Sequence, residues 1–181
     1  MLQQPSLNML ITAVLLSTCI MELKGQLTGS TVEVHGWQSS CSSRETNTQR
    51  PLPSPMECAQ ACSRTISCHF VNFDTTSKVC TLVSKDAQCS YLPVSTSVLA
   101  ATTTKHLTIK PSTDIYVGRQ IAWLVVDDKE TCKKLCQIVA KCNASVFRRD
   151  GACSLKTIPQ SAEFGLDKTA TAFVDLASLR P

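Results

Sequence analysis

A chain of 181 residues with 18 Lys and Arg against 14 Asp and Glu carries a formal charge of +4, too small an excess for the clustered basic face of a nucleic-acid binder. Only 5% of its residues are aromatic and 18% charged, which disfavours both an aromatic-rich core and a highly charged disordered tail. The telling count is 11 Cys, a density close to that of disulfide-stapled secreted chains and out of place in a cytosolic enzyme.

Met9 to Ile20 form an apolar run. It falls short of the ~20 residues a membrane-crossing helix needs and has the length of a signal-peptide core. Residues 1–25 are therefore expected to be a secretory signal cut near Gly25, although no Lys or Arg precedes the run. Its removal takes Cys19 away and leaves ten Cys, an even number that permits complete pairing in an oxidising compartment. No second long apolar stretch follows, so no membrane insertion is expected once the signal is gone. The mature chain is expected to be secreted and extracellular.

The remainder repeats itself. Cys58-x3-Cys62-x5-Cys68-x11-Cys80 recurs as Cys132-x3-Cys136-x5-Cys142-x10-Cys153, and Phe73 and Leu82 match Phe147 and Leu155. Further on, Leu99 to Leu107 aligns with Leu166 to Val174. These matches indicate two copies of one module, over 28–110 and 111–181.

In chain order, Thr31–Val34 reads as a strand and Ser42–Pro53 as an exposed, mobile loop. Ser54, Pro55 and Glu57 then make a helix start. The helix carries Cys58 and Cys62 on one face, with Ala61 on its buried side. Cys68–Phe73 and Val79–Val83 form a hairpin, and Lys105 to Ile109 reads as the strand that closes the first unit. Lys110–Thr113 is the join. The second unit starts with a strand at Ile115–Val117 and a helix capped by Asp127 with Glu130 three residues later, burying Leu135 and Val139. The hairpin Cys142–Phe147 and Ala152–Lys156 follows, turning at Asp150-Gly151. A last strand spans Ala172 to Leu176. The expected fold class is α+β: two small modules, each a single helix on an antiparallel sheet.

The CxxxC helix, the Cys-x-x-apolar-x-aromatic strand and the Cys-x-Leu strand resemble the PAN/apple module, carried here by Cys58/Cys62, Cys68 to Phe73 and Cys80 to Leu82. The second copy has Cys132/Cys136, Cys142 to Phe147 and Cys153 to Leu155, and departs at Ser145, where the first has Val71. Sequence alone leaves the disulfide pairing open. The resemblance implies Cys58–Cys80, Cys62–Cys68, Cys132–Cys153 and Cys136–Cys142, with Cys41–Cys89 as the extra bond of apple-type members. A rival four-cysteine zinc site is disfavoured by the steadily growing spacings and the oxidising context.

No catalytic constellation is visible. His35, His69 and His106 lie outside any zinc-peptidase motif, and no Gly-x-Ser-x-Gly elbow occurs. No cofactor and no metal are expected, and the chain is not expected to be an enzyme. The resemblance implies an extracellular recognition protein, lectin-like or adhesive, with a glycan or protein ligand and no nucleic-acid partner. The alternative is a structural or protein-partner module of a larger extracellular complex. Arg148, Arg149 and Asp150 on the second hairpin, with Lys156 beyond, are the candidate ligand-binding residues. Asn143-Ala144-Ser145 is a glycosylation acceptor by sequence.

Overall fold

The computed structural model describes residues 29–42 and 46–179; the expected signal over 1–25 lies outside the described residues. The first unit runs β1 (Ser30–Cys41), β2 (Thr46–Pro51), α1 (Pro55–Ser63), β3 (Cys68–Asp74), β4 (Val79–Ser84) and β5 (Cys89–Thr103). The second runs β6 (Leu107–Ile115), β7 (Arg119–Val125), α2 (Lys129–Ile138), β8 (Ala144–Arg148), β9 (Ala152–Thr157) and β10 (Phe164–Asp175), then a 3-10 turn, Leu176–Leu179. Each unit is one helix on a five-stranded antiparallel sheet, ordered β1-β5-β3-β4-β2 and β6-β10-β8-β9-β7. The two orders are the same topology written twice, so the α+β duplication expected from the cysteine intervals is borne out.

The helix starts follow local chemistry. The Ser54 side chain accepts the Glu57 amide at 3.2 Å, with Pro55 in the first turn. In α2 the cap is Asp128 rather than Asp127: its carboxylate accepts the Thr131 amide at 2.9 Å and the Thr131 hydroxyl at 2.8 Å. Both caps then stand four residues before their first helical Cys, and the one-residue mismatch of the sequence alignment disappears. The buried alanine of α1 is Ala59, not Ala61.

Bonds Cys58–Cys80 and Cys62–Cys68 tie α1 to β4 and β3, and Cys132–Cys153 and Cys136–Cys142 tie α2 to β9 and the approach to β8. Cys41–Cys89 joins directly opposed residues of β1 and β5. These bonds engage all ten cysteines of the described residues, which leaves no thiolate there for zinc.

Other expectations change. The stretch 42–53, read as a loop, contains β2, which pairs with β4; at a sheet edge a polar strand ending in proline is tolerated. Lys105 to Ile109 does not close the first unit. The strand there runs Leu107–Ile115 and pairs with β10 in the second sheet, so the chain changes sheet between Thr103 and Leu107. Ile115 ends this strand, and the sequence reading missed β7 altogether. Val98 faces Phe73 and Thr171 faces Phe147, so Leu99 corresponds to Ala172 and not to Leu166. The irregular register of β10 between Leu166 and Thr171 obscures that match in sequence.

Strand alternation puts apolar residues on both faces of each sheet. In the first sheet Val71, Phe73, Leu82, Val98 and Ala100 pack under α1 with Cys58 and Cys62. The opposite face presents Val34, Phe70, Val83, Leu99 and Ala101, and these share a core with Leu135, Ile138, Val139, Leu155 and Phe173 of the second unit. Helix α2 is thus wedged between its own sheet and that of its neighbour. The other face of the second sheet holds a smaller cluster around Ile115, Val146, Ile158, Ala172 and Val174.

Candidate functional site

The face of the second sheet away from α2 is only partly covered. Trp123 on β7, Ser154 on β9 and Val146 on β8 are direct cross-strand neighbours. With Asp114, Gln120, Arg148, Ala152 and Lys156 they line a cleft of about 90 Å³. Trp123 is 57% exposed, an unusual position for an indole that has a core beside it.

The polar groups are held in place. Arg148 Nη2 meets Asp114 Oδ2 at 2.5 Å, with the carboxylate side chain 3% exposed and the guanidinium side chain 47%. This bond, with the Asp114 charge, pushes the Arg148 pKa further up. Asp114 Oδ1 accepts the Ile115 amide at 2.7 Å, and the Lys156 ammonium donates to the Ile115 carbonyl. The Ser154 hydroxyl donates to Gln120 Oε1 at 3.2 Å, and Gln120 is exposed. The arrangement can offer cationic and neutral donors beside a flat aromatic face.

Of the four candidate residues, the fold brings Arg148 and Lys156 together in this cleft and leaves Arg149 and Asp150 at the hairpin tip. Asp150 Oδ1 accepts the Ala152 amide at 3.0 Å and shapes the turn, where Gly151 adopts φ 86°. Arg149 is exposed and uses its backbone amide on the Thr169 carbonyl at 3.1 Å. Sequence reading missed Trp123, Gln120, Asp114 and Ser154. The aliphatic and aromatic run Ile121–Val125 is a strand signal that would have placed the tryptophan at a sheet edge. Asn143 is half-buried: its Nδ2 donates to the Ile158 carbonyl at 3.0 Å and its Oδ1 accepts the Ile158 amide at 2.7 Å.

A duplicated helix-on-sheet module laced by disulfides is the build of adhesion-type modules. The chain belongs to the PAN domain family, which matches it twice, at residues 37–105 and 113–157. It is similar in fold to the solution structure of the two N-terminal apple domains of Toxoplasma gondii microneme protein 4, with a TM-score of 0.51 and 14% identity. That likeness covers 76% of this chain and 84% of the other. No curated protein matches the chain in sequence.

Proposed function

We propose that the chain is a secreted, non-enzymatic recognition protein whose second unit binds carbohydrate in the Trp123 cleft. The observation that carries this reading is the exposed indole set beside Gln120, Ser154, Arg148 and Lys156 on the face α2 leaves open. An indole face complements the apolar C–H surface of a sugar ring, and fixed donors around it read hydroxyls. The Asp114 pairing of Arg148 lowers the ordering cost of binding. The same pairing argues against catalysis: Asp114 is the one carboxylate lining the cleft among the described residues, whereas glycoside cleavage uses two. Five disulfides suit an oxidising, extracellular setting.

The test is a glycan array probed with the oxidised protein and with Trp123→Ala. The expected result is retention of a restricted set of glycans, weakened about tenfold or more in the variant, with its thermal unfolding unchanged because the indole is exposed. A blank array, or equal retention by both proteins, overturns the reading. Co-purifying protein partners with a blank array would favour a structural module instead.

A further inference from the structure

Among the five bridges of the described residues, Cys41–Cys89 stands apart in two ways. Each of the other four contains a cysteine no more than 3% exposed, whereas Cys41 and Cys89 are both half-buried. It is also the bridge that the duplication does without. Strands β6 and β10 hold in the second sheet the places of β1 and β5, and they pair with no disulfide between them. The bridge spans the last rung of the β1–β5 ladder, so opening it unfastens two strand ends and leaves the ladder and both helix bridges of the first unit in place.

Its two cysteines border different recesses. Cys41 lines a groove of about 400 Å³ with Gln38, Asn72 and Leu92, and no Lys or Arg lines that groove. Cys89 lines a cleft of about 270 Å³ where the two units meet, beside Phe70 and Tyr91 of the first unit and Ile121 and Val139 of the second. Lys85, Arg119 and Lys141 stand exposed on the same cleft; none makes an ion pair among the described residues, and no carboxylate lines it there. Cations gathered at a cysteine stabilise its thiolate, and the more stable thiolate leaves faster in exchange. We propose that Cys41–Cys89 is a thiol-exchange site, opened by a dithiol reductant with Cys89 as the leaving group. The attacking thiolate bonds to Cys41 Sγ as the Cys41–Cys89 bond breaks, and the electron pair departs on Cys89 Sγ. The second thiolate of the reductant then displaces Cys41 from the mixed disulfide. The bridge gains two electrons, the reductant leaves as a disulfide, and its two thiol protons end on Cys41 and Cys89.

The test is to treat the oxidised protein under native conditions with dithiothreitol, trap free thiols with iodoacetamide and locate them by peptide mass spectrometry. Cys41 and Cys89 should label about tenfold or more faster than the other eight cysteines, and the opened protein should keep its cooperative unfolding. With glutathione in place of the dithiol, the trapped adduct should be on Cys41. The variant Lys85→Gln/Arg119→Gln/Lys141→Gln should open about threefold or more slowly while unfolding like the parent. Earlier opening of any other bridge, or labelling of every cysteine together, overturns the proposal. So does loss of cooperative unfolding on opening, which marks a structural bridge. Glutathione found on Cys89, or an unchanged rate in the triple variant, would overturn it as well.

Discussion

The ammonium of Lys105, in the step between β5 and β6, donates to the carbonyl of Val139 at the end of α2 at 2.5 Å. It also lies 3.3, 3.2 and 3.0 Å from the carbonyls of Cys136, Ala140 and Cys142. A helix end leaves carbonyls such as that of Cys136 without intrahelical partners and carries negative partial charge. One half-buried cation with three N–H donors is shared among the four carbonyls, of which that of Val139 also accepts the Cys142 amide at 3.1 Å. Burial pushes the Lys105 pKa down to about 8 while the Asp175 charge supports the ammonium, so the group remains mostly protonated at neutral pH. Lys105→Met keeps the aliphatic stem and removes every donor. It should cost about 2 kcal/mol or more, read as a lower urea midpoint with an unchanged slope. An unchanged midpoint would show that the cap contributes nothing.

His69 makes the junction sensitive to acid. Burial first, then the Lys105 charge, lower its pKa below 6.5, opposed by the hydrogen bond to Ile138. The unfolded chain therefore binds the proton more readily than the native one. Stability is full above about pH 6.5 and is lost as pH falls through the folded value. Urea midpoints at about pH 7.5 and about pH 5.5, above the ordinary carboxylate range, should differ, and His69→Gln should narrow the gap. An equal drop in the variant would assign the acid sensitivity elsewhere.

Ser145 is fully buried, and its hydroxyl has no hydrogen-bond partner. It faces Leu155 and Phe173 in the position that Val71, opposite Leu82, occupies in the first unit. An unpaired buried hydroxyl costs more than it returns. Ser145→Ala should therefore stabilise the protein by about 1 kcal/mol, seen as a higher urea midpoint, whereas a lower midpoint would reveal a partner for the hydroxyl.

Asn143 closes a loop with both ends of its amide, and the hydroxyl residue of its acceptor triplet is that same buried Ser145. In the folded chain Nδ2 is already held by the Ile158 carbonyl. Intact mass of the protein from a secretory host should show Asn143 unmodified, and Asn143→Ala should lose about 1–3 kcal/mol. A glycan-sized mass increment removed by Asn143→Gln would contradict this.

Much of each unit is written in local signals. The cysteine intervals, the Ser54-Pro55 helix start and the Asp150-Gly151 turn act through neighbours within a few residues, and they give the helix and hairpin of both copies. Strand β2 is polar and has no hydrophobic alternation to announce it; only the free edge of β4 recruits it. The role of Lys105 is likewise invisible in sequence, because its partners lie more than 30 residues away. So is half of the Trp123 cleft: Asp114 and Arg148 reach one another only when β6 joins the second sheet. The lining of the inter-unit cleft exists only because α2 is clasped between two sheets, which a reading of either repeat by itself does not contain.

That clasp can be tested directly by calorimetric unfolding of the oxidised protein. Because Leu135 and Ile138 share one core with Val34, Phe70 and Leu99, the two repeats should melt together, in one transition whose calorimetric and van't Hoff enthalpies agree. Leu135→Ala should lower that single transition by about 2–5 kcal/mol. Two resolved transitions, of which Leu135→Ala moves only one, would mean that the repeats are independent beads.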